Sequence, residues 1–203
     1  MVATVSNGYG SMLSAIIAAH ESERALVPTL AALVPGAAAG LLAEVVVADA
    51  ASRDATAEVA DIAGCRLVSS NDPVGTRLKA AAASTRGPWL MFLRAGAVPQ
   101  AGWIDAADRF MQATDLLENA ARAAVFRPLG PADYLRPSLA EIVALLRAFM
   151  GGGPGPDQGL LIARRFYDAI GGHSAGADAE TALLRRLGRR RIAMLSAMIA
   201  VTG

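Results

Sequence analysis

The chain has 203 residues, 54% of them hydrophobic, with 19 Lys and Arg against 18 Asp and Glu. That length suffices for one domain with a full core. A formal net charge of +1 gives no global electrostatic basis for binding nucleic acid or an acidic membrane surface. The single Cys65 excludes an internal disulfide and fits a reducing cytoplasm.

Mean hydropathy is positive, yet the longest apolar runs, Met12 to Ala19 and Ile192 to Val201, are too short for a spanning helix. The N-terminus lacks the basic start of a secretory signal. The expectation is a cytoplasmic protein without export, able to associate with other proteins.

Met12 to Ala19 predicts a strand buried on both faces. Leu26, Leu30 and Leu33 then repeat at helical spacing, and Pro35-Gly36 is read as the stop. Glu44 to Ala48 predicts the second buried strand. A helix with Ala57, Val59, Ala60 and Ala63 on one face follows, with Gly64 as its C-cap. Cys65 to Val68 reads as the third strand, and Cys65 as a buried small hydrophobe. Thr76 to Thr85 reads as an Ala-rich helix, Trp89 to Leu93 as the fourth strand, and Pro99 to Ala113 as a helix. The second half is less regular. It offers a strand at Ala123 to Phe126, an amphipathic helix at Ser138 to Met150, and a glycine-rich loop at Gly151 to Pro156. A strand at Gly159 to Ala163, helices at Arg164 to Ile170 and Ala179 to Leu187, and a strand at Ile192 to Val201 complete it.

Continuously apolar strands alternating with short helices predict an α/β fold, with a mostly parallel twisted sheet and right-handed crossovers. Ligands of such sheets bind outside the carboxyl ends of the strands. His20, Glu21, Asp49, Ser52, Asp54 and Arg94 fall at those ends. Two roles fit Asp49: accepting from a nucleobase N–H or ribose hydroxyl, or capping the turn that follows it. Ser52 and Asp54 suit the start of the next helix. Gly8-Tyr9-Gly10 precedes its strand, and Gly151 to Pro156 lacks the Lys-Ser/Thr pair, so neither reads as a phosphate loop. Arg185, Arg186 and Arg189 to Arg191 read as a solvated face at a helix C-terminus. His20 and His173 are the only histidines, and no His/Cys cluster has metal-ligand spacing.

Ile16-Ile17-Ala18-Ala19-His20 and Val46-Val47-Ala48-Asp49-Ala50-Ala51-Ser52-Arg53-Asp54-Ala55-Thr56 resemble the opening of a family 2 glycosyltransferase. Those enzymes typically read Ile-Ile-Pro-Ala-His-Asn-Glu and Val-Val-x-Asp-Gly-Gly-Ser-x-Asp-x-Thr. The resemblance continues through Arg86 to Leu93 and Val98 to Trp103. It returns at Asp157 to Leu160, Phe166 to Gly172, and Ala177 to Gly188. It is nearest the small bacterial branch, whose members are often single-domain and cytoplasmic. It implies one GT-A domain over 1–203, with a nucleotide-binding half at about 12–112 and an acceptor half at about 113–203. It also implies a UDP- or GDP-linked sugar donor, an acceptor, and usually Mg²⁺ or Mn²⁺ on the diphosphate. A homo-oligomer is a further expectation.

By position, the resemblance gives Asp49 the nucleobase, with His20 and Ser52 lining the same pocket. Asp178 falls where a Glu-Asp pair supplies the general base of an inverting transfer. Asp157 and Gln158 fall at an acceptor-side Asp-Gln. The polar departures matter as much. The acidic metal motif is Arg94-Ala95-Gly96, the Asn-Glu after the histidine is Glu21-Ser22, and the Glu before Asp178 is Ala177. Where the family reads Gly-x-Gln-x-Asn, this chain reads Gly75-Thr76-Arg77-Leu78-Lys79. Two readings follow. In one, sugar is transferred without a metal, Arg94 with Arg77 and Lys79 neutralising the diphosphate. In the other, activity is lost and the fold serves as a nucleotide-binding or protein-interaction module. Arg77 and Lys79 also read simply as exposed helix positions.

Overall fold

A computed structural model describes residues 13–117, 121–129 and 154–202. The expected helix at Ser138 to Met150, Gly8-Tyr9-Gly10 and the first half of the glycine-rich loop lie outside them. In chain order the elements are β1 (Leu13–Ala19), α1 (Glu23–Ala38), β2 (Leu42–Asp49), α2 (Thr56–Ile62), β3 (Arg66–Ser69), α3 (Val74–Ser84), β4 (Trp89–Arg94) and β5 (Ala97–Pro99). Then come α4 (Trp103–Asp115), β6 (Ala123–Pro128), β7 (Leu160–Ala163), α5 (Arg164–Ala169), α6 (Ala179–Leu187) and β8 (Ile192–Val201). Short 3-10 turns occupy Pro156–Gln158 and Arg189–Arg191.

The strands form one eight-stranded sheet in the order β3-β2-β1-β4-β7-β6-β8-β5. The first four are mutually parallel. β7 runs antiparallel to β4 and β6, β8 is parallel to β6, and β5 is antiparallel to β8. Apart from the buried Ser14 and the terminal Arg94, β1 and β4 are apolar and almost wholly buried, as strands covered on both faces require. The chain builds outward from β1 to β3 and then jumps back to β4. With right-handed crossovers, α1 and α2 cover one face and α3 the other. The order therefore reverses between β1 and β4, the kind of switch point at which open α/β sheets form a crevice outside the strands' carboxyl ends.

Three local readings need correction. Helix α1 does not stop at Pro35-Gly36 but runs to Ala38. Pro35 is exposed, so the Ala31 carbonyl it leaves unbonded reaches water. Gly36 is buried beneath the Trp103 ring, and the stop is Gly40, with the Leu41 amide donating to the Gly36 carbonyl. The segment read as a helix from Pro99 begins instead with β5. Pro99 ends that strand, the Gln100 amide donates to the Met198 carbonyl, and α4 starts at Trp103. Cys65 is half-buried rather than buried, because β3 is the edge of the sheet. Gly64 closes α2 as expected.

Two glycines set how the elements approach the crevice. Gly96 has φ +91° in the β4–β5 turn, and a Cβ there would lie 2.4 Å from the Thr202 carbonyl oxygen. Gly75 lets the start of α3 press against the segment leading into α6: a Cβ would lie 1.8 Å from the Ser174 carbonyl oxygen and 2.4 Å from the Ala179 Cβ. Neither neighbour is a flexible side-chain end. Gly75→Ala is therefore expected to lower stability by about 2 kcal/mol or more, as overpacking against backbone does. Urea unfolding should show a lower midpoint, and an unchanged midpoint would mean the α3–α6 docking is looser than described.

Candidate functional site

The carboxyl ends of β1 and β2 are tied together by the polar residues the sequence placed there. Asp49 is 1% exposed. One carboxylate oxygen accepts from the Ser52 hydroxyl, and the other accepts from the Ser52 amide at 3.0 Å and the Ser69 hydroxyl at 2.9 Å. Burial opposes ionisation of Asp49. The Ser52 hydroxyl and amide, the Ser69 hydroxyl and the Arg77 charge outweigh it and hold the pKa below its ordinary value. The Ser52 hydroxyl oxygen also accepts from the Glu21 amide at 2.9 Å.

One residue further out, Asp54 caps two helices at once. Its carboxylate accepts the Glu23 amide at the head of α1 and the Thr56 amide at the head of α2, each at 3.0 Å. The Thr56 hydroxyl in turn accepts the Ser22 amide at 2.8 Å. Glu21 returns the contact by accepting the Arg53 amide at 2.8 Å. Glu21 and Ala51 are the described non-glycine residues with positive φ, at +48° and +53°. Ala51 stands where the resemblance expects glycine, so the turn carries backbone strain of about 1 kcal/mol.

Arg77 is not an exposed helix position. It is 7% exposed, and its guanidinium closes the ends of two strands. Nη1 donates to the Ala19 carbonyl at 3.1 Å and the Ala48 carbonyl at 3.0 Å, and Nε donates to the Asp72 carbonyl at 3.1 Å. Burial lowers its pKa, against the charges of Asp49, Asp72 and Glu180. Lys79 is exposed. Two helical residues on from Arg77, it points about 200° around the helix and cannot join it.

The other wall of the crevice is Arg94, the last residue of β4, paired in register with Ala18 of β1. Its Nε donates to both oxygens of Glu180 at 3.1 Å, and Nη2 donates to Glu180 at 2.6 Å. Nη1 donates to Asp157 at 3.0 Å. The Glu180 hydrogen bonds lead in raising the Arg94 pKa. The guanidinium is thus fixed, fully charged, and already met by two carboxylates.

The remaining candidates separate into bonded and unbonded groups. Gln158 serves the backbone, donating to the Phe126 carbonyl at 3.1 Å and accepting the Gly155 amide at 2.7 Å. His20 is exposed, and its ring makes no hydrogen bond among the described residues. Asp178 is exposed at the head of α6, and its side chain makes no capping hydrogen bond. Arg186 is not merely part of a solvated face: it donates to the Ile170 and Gly172 carbonyls and so holds the end of α5. His173 is 3% exposed and shares a small cleft with Phe92, Pro156 and Glu180. Its Nδ1 lies 2.9 Å from the Tyr167 hydroxyl, which also accepts the His173 amide at 3.1 Å.

The residues present do not fit the divalent metal that the resemblance implies. A guanidinium occupies the turn where a carboxylate is expected, and it engages Glu180 and Asp157. Gly96 has no room for a side chain. Among the described residues no three His, Cys, Asp or Glu gather as a metal would require. The residue sequence reasoning passed over is Glu180. It lies 86 positions from Arg94, and its only local signal is an acid in the first turn of a helix.

No protein-family model matches the chain, and no curated protein matches it in sequence. Solved structures do match. Glucosyl-3-phosphoglycerate synthase from Mycobacterium tuberculosis, in complex with Mn²⁺, UDP and glucosyl-3-phosphoglycerate, superposes with a TM-score of 0.66 at 20% identity, over 95% of this chain and 71% of that one. The same enzyme with Mn²⁺ and UDP-glucose gives 0.65 at 21% identity, over 96% and 71%. Mannosyl-3-phosphoglycerate synthase from Rubrobacter xylanophilus gives 0.61 at 18%, over 91% and 65%. The chain has a GT-A glycosyltransferase fold.

His173 makes this half of the GT-A fold sensitive to acid. Burial, helped by the Arg186 charge, pushes its pKa down from 6.5 to about 4. Below the unfolded value the unfolded chain takes a proton that the folded chain refuses. Stability is therefore full above 6.5 and is lost as pH falls toward 4, by at most about 3 kcal/mol. Denaturant unfolding between pH 7 and 4.5 should show this slope, and His173→Phe should flatten it. A variant with the parent slope would exclude His173 as the cause.

Proposed function

We propose that this chain binds a nucleotide-sugar donor, UDP- or GDP-linked, in the β1/β4 crevice and transfers the sugar to an acceptor, with a guanidinium in place of the metal. The observation that carries the reading is Arg94. It stands in the turn of the expected metal motif, at the carboxyl end of a central strand, with its charge fixed by Glu180. The structural neighbours support the donor class, since one is described with UDP and another with UDP-glucose.

The chemistry is that of inverting transfer. Asp178 accepts the proton of an acceptor hydroxyl as that oxygen attacks the anomeric carbon. The bond to the nucleoside diphosphate breaks, and Arg94 offsets the charge that grows on the leaving oxygen. The Asp178 carboxylate is exposed and carries no capping bond, as a base that meets a substrate hydroxyl must be. Asp157 stands on the acceptor side. His20, exposed at the carboxyl end of β1, is assigned to the base or ribose. Asp49, Ser52 and Arg77 shape the pocket floor, and Lys79 contributes only at long range.

A second reading is favoured by a specific observation: Asp49 has both oxygens bonded within the chain, and Arg94 already faces two carboxylates. A site so satisfied also suits an inactive homologue that retains the fold as a nucleotide-binding or protein-interaction module. Among the described residues no helix is long and apolar enough to cross a membrane. We place the protein in the bacterial cytoplasm, and as a homo-oligomer whose mass in solution would show it.

Calorimetry with UDP, GDP and their sugars, in Mn²⁺ and in EDTA, tests the proposal. Binding should persist in EDTA and weaken about tenfold or more in Arg94→Ala, the size of a lost charge-assisted hydrogen bond. Binding that requires Mn²⁺ would sink the guanidinium reading. Asp178→Asn should cut transfer by about 100-fold or more while leaving donor affinity nearly intact. Donor binding without turnover in the parent protein would favour the inactive homologue.

A further inference from the structure

The two carboxylates that meet Arg94 are not equivalent. The Glu180 side chain is 12% exposed and engages Nε and Nη2 together. The Asp157 side chain is 59% exposed and engages only Nη1. Glu180 sits in the first turn of α6, where the helix N-terminus favours a negative charge. That helix is anchored by buried Leu183, Leu184 and Leu187. Asp157 stands on a three-residue turn with no buried residue.

An anion arriving from solvent therefore meets one bond it can replace and one it cannot. Exchanging Asp157 for another oxygen acceptor keeps Nη1 bonded and returns an exposed carboxylate to water. Exchanging Glu180 would strand a largely buried charge. We infer that Glu180 is the positioning residue for Arg94, and that Asp157 is a placeholder that a phosphate oxygen of the donor displaces. This rests on the proposed function. Its physical basis is preorganisation: a free guanidinium stem must give up rotamer freedom when it binds, and Glu180 has already fixed it.

The consequence is a reversal of sign. Glu180 and Asp157 each place a negative charge beside the anion site, so by charge alone removing either would tighten anion binding. Positioning predicts opposite effects. The full chain would be titrated in EDTA with inorganic pyrophosphate and with UDP. Asp157→Asn should bind about threefold tighter, the scale of an exposed ion pair. Glu180→Gln should bind about tenfold weaker or worse despite losing a negative charge. Glu180→Asp keeps the charge and shortens the reach, so it should also weaken binding, and it serves if the Gln variant does not fold. In an Arg94→Ala background, Glu180→Gln should cause no further weakening.

Tighter pyrophosphate binding in Glu180→Gln, together with unchanged binding in Glu180→Asp, would overturn the positioning role and leave the proposed function standing. No binding of either probe by the parent chain, or equal binding by Arg94→Ala, would instead overturn the proposed function itself.

Discussion

Arg94 joins the two halves of the molecule. It ends β4, a central strand of the parallel half, and its guanidinium reaches Glu180 on α6 and Asp157 before β7. Open α/β sheets receive ligands outside the carboxyl ends of their strands, and here that end carries a guanidinium bonded within the chain. It is held by three contacts to one carboxylate of 12% exposure, while the Arg94 side chain itself is 41% exposed, so solvent screens part of the attraction. α6, and with it Asp178 and Glu180, is held by its buried Leu183, Leu184 and Leu187 and by the close approach that Gly75 allows.

The other wall is governed by satisfaction of backbone groups rather than by a charge pair. Two strand–helix turns leave amides and carbonyls exposed at the same edge, and short polar side chains answer them reciprocally. Asp49, Ser52, Asp54 and Thr56 accept amides, and Arg77 donates to the strand-end carbonyls. The strained conformations at Glu21 and Ala51 persist because this network over-determines them. This edge therefore has a fully bonded floor on the β2 side and an exposed contact, Nη1 to Asp157, on the β4 side.

Much of the frame was legible because apolar runs and helix stops are local signals. The four parallel strands, the C-cap at Gly64 and the strand at Ile192 all follow from patterns within about ten residues. What local pattern could not show was a residue's partner across the sheet. Gly36 reads as a stop until Trp103 is seen over it. Pro99 reads as a helix start until β8 is seen beside it, about 100 residues later in the chain. The site divided the same way: Asp49 and Arg94 stand out at strand ends, but Glu180 does not.

The sequence by itself determined the parallel α/β half, the polar residues at its strand ends, and a turn at Arg94-Ala95-Gly96 that holds no carboxylate. Each depends on residue type and short-range order alone. Only the tertiary structure decided how those polar groups are used. It turned Arg77 inward onto three carbonyls, bonded Asp49 to Ser52 in its own turn and to Ser69 on β3, and matched Arg94 with Glu180. The physical reason is that a buried polar group must find its partner wherever the fold brings one, and sequence separation carries no information about that distance.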